Sequence, residues 1–358
     1  MKELSRAGGV ISPAVAFDRA LGCISSGDVF VEFSGGLDSS LLLAAATLQR
    51  RAYGLPDPLP VTRRHAGQPD TEESEFQEAV IDHLGIREWQ ILDADENLDV
   101  LGPAAQLELS ENGPALFARL PARRWFLDRM GSSGVVLSGE GGDEVFGRAP
   151  LAAFYLARYA AISRTNRRVA VRSLASFHKS TSLARRRQIG RSTPTWLTEA
   201  AGKDYRRHLI RTTGPGWSVA SNHRDVRSRR DIVMLIDSLE KQARRHGLEY
   251  RAPILDLQFV STLHLLIPSF DFFDRAFLIR KYFPGYLPEK LLRRTTKAHF
   301  ASAMFGPMAI DFAEKWDGTG LPDDLVIAPE LREAWRRKED GRSCSPMQWA
   351  WMYREGLL

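Results

Sequence analysis

Cysteine is nearly absent from this 358-residue chain, which holds only Cys23 and Cys344. Two cysteines make no disulfide framework, and neither Cys-x-x-Cys nor His-Glu-x-x-His occurs, so no zinc site is expected. Both read as packing residues in a reducing compartment. No apolar run reaches the roughly 20 residues that cross a bilayer. The opening Met1-Lys2-Glu3-Leu4-Ser5-Arg6 has no apolar signal-peptide core, so the expected location is cytoplasmic. A Walker A loop is excluded, because no glycine-rich turn ends in Gly-Lys-Ser/Thr. Internal repeats and long low-complexity segments are missing too.

What is present is a globular composition, 44% hydrophobic and 26% charged, with enough chain for one large or two modest cores. Its most telling stretch is Ser34-Gly35-Gly36-Leu37-Asp38-Ser39-Ser40. It follows the apolar Val29-Phe30-Val31-Glu32-Phe33 and leads into Leu41-Leu42-Leu43-Ala44-Ala45-Ala46. Strand, glycine turn and helix start are the expectation. Gly35 and Gly36 let backbone approach a ligand, and the hydroxyls of Ser34, Ser39 and Ser40 beside helix-start N–H groups suit a polyphosphate. Asp38 is the odd member. A carboxylate repels phosphates unless a divalent cation lies between, so Asp38 reads as a magnesium ligand.

The arrangement recurs downstream. The short apolar Gly134-Val135-Val136-Leu137 runs into Ser138-Gly139-Glu140-Gly141-Gly142-Asp143-Glu144. Ligands of open α/β sheets collect beyond the carboxyl ends of the strands. Two such loops on one sheet would set Asp38 and Asp143 on opposite sides of one metal–pyrophosphate group.

Between the loops the pattern alternates. Helices are expected near 14–24, 39–51 and 116–130, and strands near 59–62 and 88–92. Thr71 fits a helix N-cap, with Glu72, Glu73 and Glu75 favouring the positive helix end. Alternating strands and helices imply an α/β doubly wound parallel sheet. After about Pro150 strand signals fade. A nucleotide-binding core at 1–150 and a mainly helical part at 151–358 that completes the same active site are therefore expected.

Charge is uneven. Residues 151–230 hold eighteen Lys and Arg against Glu199, Asp204 and Asp225, while the whole chain is only +5. One reading is a solvated arginine-rich surface; the other is a docking face for an acidic peptide, carrier domain or companion subunit. No base-stacking aromatic pattern accompanies it, which argues against nucleic acid.

Taken together, the two loops resemble the synthetase domain of the asparagine synthetase family, which includes β-lactam synthetases and lasso-peptide cyclases. Two further segments carry the resemblance: a helix and turn from Ser238 to Asp256, ending in Leu248-Glu249-Tyr250-Arg251-Ala252-Pro253-Ile254-Leu255-Asp256, and Leu287-Pro288 through Arg294 to Lys297-Ala298-His299-Phe300. The resemblance implies a fold of the ATP-pyrophosphatase type and an ATP- and magnesium-dependent ligase. A substrate carboxylate would be adenylylated, with AMP and pyrophosphate released, and the acyl group passed to an amine or ammonia.

On this resemblance Ser34, Gly35, Gly36, Asp38, Ser39 and Ser40 hold pyrophosphate, Asp38 and Asp143 hold magnesium, and adenine lies near Val61 and Gly139. Lys297 stands where the family carries its functional lysine. Glu249 is either ion-paired with Arg251 or directed into the cleft as an acid/base; the resemblance favours the cleft and makes Lys297, Glu249 and Glu140 the catalytic candidates. Glu140 occupies the position that is tyrosine in β-lactam synthetases, so their Tyr–Glu dyad is not supplied. This favours ammonia or an already nucleophilic amine. The family's glutaminase is not expected, since only 33 residues precede the first loop. That leaves a dedicated amide ligase or peptide cyclase, or a synthetase subunit fed with free or partner-made ammonia. A tRNA-modifying adenylating enzyme and a non-catalytic scaffold are the rival readings.

Overall fold

The structure is a computed structural model. It describes residues 11–22, 27–64, 72–94, 98–146, 189–190, 193–212, 229–266, 275–294, 302–338 and 340–358.

Helix α1 (Pro13–Leu21) starts at Ser12, whose Oγ accepts the Val15 N–H at 3.3 Å, with Pro13 in the first turn where no N–H is needed. Strand β1 (Val29–Glu32) and helix α2 (Leu37–Ala52) flank the first loop. Then come β2 (Leu59–Arg64), α3 (Ser74–Leu84), β3 (Gln90–Asp93), α4 (Pro103–Asn112) and β4 (Gly134–Leu137). Further along lie α5 (Arg230–Arg245), β5 (Leu248–Arg251), α6 (Leu257–Leu266) and α7 (Arg275–Tyr282).

The five strands form one parallel sheet in the order β3-β2-β1-β4-β5. The fold is the expected α/β doubly wound sheet. Its strands are short apolar runs because both faces are covered. In β1, Val29 and Val31 enter the core under α1, α2 and α6, while Phe30 enters the opposite core with Val61, Phe126, Val136 and Tyr250. A third core gathers the C-terminal helices around Phe312, Trp316, Trp335 and Trp351. Cys344 is packed inside it, and burial pushes its thiol up to about 12. No helix among the described residues is long and apolar enough to cross a membrane.

Three local expectations change. The 116–130 helix is two short pieces, Arg119–Ala122 and Arg124–Leu127. Tight i to i−3 backbone bonds, as from Arg123 N–H to Leu120 O at 3.0 Å, are mixed there with i to i−4 bonds, around Pro121, which has no N–H to give. The helix expected from Ser238 is present as the end of α5, but strand β5 falls where only a turn was expected; four residues are enough because it only completes the sheet edge beside β4. Helix α3 starts at Ser74, where the Glu72 carboxylate accepts the Ser74 N–H at 2.6 Å. Thr71 lies outside the described residues, as does the boundary at 150.

Candidate functional site

Strands β1 and β4 are adjacent, and the order of strands reverses between them. Both glycine-rich loops leave their carboxyl ends there, at the topological switch point where open α/β sheets bind ligands. A cavity of about 630 Å³ opens at that point, lined by Ser34, Gly36, Asp38 and Ser39 from one loop and Gly139, Glu140 and Asp143 from the other.

The first loop is held tightly. Ser34 Oγ and Ser39 Oγ lie 3.0 Å apart, and Ser39 Oγ also accepts the Ser34 N–H at 3.2 Å. From α3, Gln77 Nε2 donates to the Ser34 carbonyl at 3.1 Å. Gly35 has φ +85°, and a Cβ there would stand 2.7 Å from Gln77 Cγ, so only glycine suits this turn. No side chain caps α2 at Gly36. Its first turn therefore offers backbone donors and the positive helix end to an anion.

The second loop closes on the first. Asp38 and Asp143, 105 positions apart in sequence, converge on one guanidinium. Arg275 at the start of α7 donates from Nη1 to Asp38 Oδ2 and from Nη2 to Asp143 Oδ1, each at 2.6 Å. This end of the cavity also has Glu144 and Asp231 in its wall.

The wall also holds Arg63, Arg119 and Arg294. Glu32, at the end of β1, accepts from Arg123 Nη2 at 2.6 Å and Nε at 3.0 Å. Burial raises the Glu32 pKa, but Arg123 and Arg63 outweigh it and hold the carboxyl below its ordinary value. Arg119 pairs with Glu140 at 3.0 Å. Arg63 faces the cavity with its guanidinium 4.7 Å from the centre of the Phe126 ring. Burial lowers its pKa, with Glu32 opposing and Arg123 and Arg119 adding to the effect; a guanidinium stays charged regardless. Beneath them, burial pushes the Tyr250 hydroxyl far above its ordinary value. The wall thus carries both charges in matched pairs, Arg275 with Asp38 and Asp143, Arg119 with Glu140 and Arg294 with Glu73.

Several sequence-derived assignments need correction. Ser40 is fully buried and does not line the cavity, because on α2 it turns toward the core while Asp38 and Ser39 turn toward the site. Val61 packs in the Phe30 core and does not reach the wall; Arg63, two residues along the same strand face, does. Glu249 lies outside this cavity. On β5, Leu248 and Tyr250 are buried, and the alternation sends Glu249 to the surface, where it accepts from Arg251 Nε at 2.6 Å. Gly35 shapes the loop from behind the wall, and Lys297 lies outside the described residues. Sequence reasoning missed Arg63, Arg119 and Arg275. No local pattern marks Arg119 or Arg275, and Arg63 is marked only by the alternation of β2.

Magnesium fits what is here. Among the described residues no three or more His, Cys, Asp or Glu side chains group to hold a metal. Asp38 and Asp143 already bracket one cation, the guanidinium, and Gly142 leaves the room that the Asp38 carboxylate needs.

Among family models, the one described as asparagine synthase matches residues 16–354. Comparison with curated proteins gives no match.

Proposed function

The chain belongs to the asparagine synthase family, and from that premise we propose that it is an AMP-forming amide synthetase with ATP as co-substrate. The single observation that supports this best is the convergence of Asp38 and Asp143, from two separate glycine-rich loops, on one cationic point in a cavity at the switch point of the sheet.

A carboxylate and an amine do not condense at neutral pH, so the carboxylate first needs a leaving group. Its oxygen attacks the α-phosphorus of ATP; the bond to the β-phosphate breaks and pyrophosphate departs. Ser34 and Ser39, with the N-terminus of α2, hold the departing group. Magnesium between Asp38 and Asp143 would neutralise its charge. The amine then attacks the acyl carbon and AMP leaves. Glu140, which lines the cavity and pairs with Arg119, is assigned to take the amine's proton, and Lys297 is assigned from the family motif to stabilise the charge that develops in both steps.

The acid belongs near Arg63 and Arg119, two arginines of the cavity wall. Amide ligation or peptide cyclisation in specialised metabolism is the preferred setting, with an acidic peptide or protein docking on 151–230. Ammonia delivered by a partner chain is the alternative supply of nitrogen. The experiment is exchange of labelled pyrophosphate into ATP across a panel of carboxylic acids. Exchange that needs an acid and is lost in Asp38→Asn supports the reading; release of phosphate in place of pyrophosphate overturns it.

A further inference from the structure

Arg275 belongs to no motif and comes from a helix far from either loop in sequence, yet its side chain joins the carboxylates of both loops. Its two Nη atoms engage one oxygen each of Asp38 and Asp143, both at 2.6 Å. Its side chain is only 20% exposed and that of Asp38 19%, while Asp143 stands at the mouth with 65% exposed. We propose that Arg275 is an exchangeable cation of the nucleotide site: it neutralises the two carboxylates when metal is absent, and transfers to the phosphate chain when metal–ATP enters. The inference rests on the nucleotide site proposed above.

The argument is one of charge and shape. Two carboxylates held together in a partly desolvated cavity repel each other unless a cation lies between. A guanidinium spanning both oxygens meets that need in the free protein. A divalent ion that takes the same oxygens leaves no room for it and repels it. The incoming ion, however, carries phosphate oxygens within reach of the same side chain. A guanidinium fork matches phosphate as well as it matches carboxylate, through paired N–H···O bonds. No bond is made or broken; one ion pair is exchanged for another.

The exchange has a signature that a structural arginine lacks, because removing Arg275 moves two affinities in opposite directions. Without a competing cation, manganese alone should bind more tightly to Arg275→Ala than to the parent, by about threefold or more. Without the phosphate partner, α,β-methylene-ATP at saturating magnesium should bind about tenfold more weakly. Arg275→Lys should fall between on both measures, since an ammonium is a point charge that engages one carboxylate at a time. Manganese binding is read by electron paramagnetic resonance and nucleotide binding by calorimetry, with thermal unfolding recorded for each variant. Unchanged or weaker manganese binding in both variants, or unchanged nucleotide binding, overturns the proposal. Weakening of both affinities together marks a structural role and also overturns it. Neither titration involves an acid substrate or a product, so ADP formation would sink the adenylylation reading and leave these results standing.

Discussion

The Asp38 carboxylate lies so close to the backbone of Gly142 that a Cβ at residue 142 would stand 2.1 Å from Asp38 Cγ. The two loops are therefore fitted to each other as well as to a ligand. Gly142→Ala must push the carboxylate or the loop aside. Overpacking of this kind costs about 1–3 kcal/mol. The loss should appear mainly in the site: about tenfold or more in magnesium-dependent nucleotide affinity by calorimetry, with a modest drop in melting temperature. Unchanged affinity would mean that the loops are not held against each other.

Asp38→Asn and Asp143→Asn should each cut turnover by orders of magnitude while the fold survives, as checked by circular dichroism. Each amide removes one anionic ligand. Lys297→Ala should behave differently, keeping nucleotide affinity while turnover falls by about 10²–10³, the usual scale for losing one donor to a developing negative charge. Near-normal turnover in both aspartate variants would remove the metal assignment.

The loops, their strands and the sheet class were legible because each loop is a contiguous run in which glycine, hydroxyl and carboxylate fall in a fixed order. The residue that joins them was not. Arg275 lies 237 positions from Asp38 and 132 from Asp143, and only the fold brings the three together. Strand β5 escaped notice because Leu248-Glu249-Tyr250-Arg251 is too short to show a period. Missing that strand also misplaced Glu249, since side-chain direction follows from the pleat, as helical phase does for Ser40. Arg63, beside the buried Val61, could have been found from strand alternation once β2 was taken as running to Arg64.

The Glu32–Arg123 pair gives a pH-dependent prediction. The folded pKa of Glu32 is lowered relative to its ordinary 4.5. Its stabilising contribution is therefore complete above that value and is lost as pH falls through the folded value. Urea unfolding should show stability dropping below about pH 4.5. Glu32→Gln leaves Arg123 buried without its counter-charge and should lower stability at pH 7 by about 3–5 kcal/mol. The gap from the parent should narrow in acid. A gap that is constant from pH 7 to pH 3 would contradict the assignment.

The basic segment 151–230 is proposed to dock an acidic peptide or protein. Reversal of Arg227, Arg229 and Arg230 to glutamate should slow association with that partner and flatten its salt dependence. Arg229 also donates to Asp231 in the cavity wall at 2.5 Å, so Arg230→Glu alone is the cleaner variant. Adenylylation of a small freely diffusing acid should change much less. Unchanged affinity and salt dependence would leave these arginines as a solvated surface.

The most direct test is the fate of ATP. With an acid that supports pyrophosphate exchange and an amine acceptor, phosphorus NMR follows the products of one incubation. AMP and pyrophosphate in equal amounts, appearing only with the acid and only with magnesium, are the expected result. Stoichiometric ADP and phosphate would contradict it.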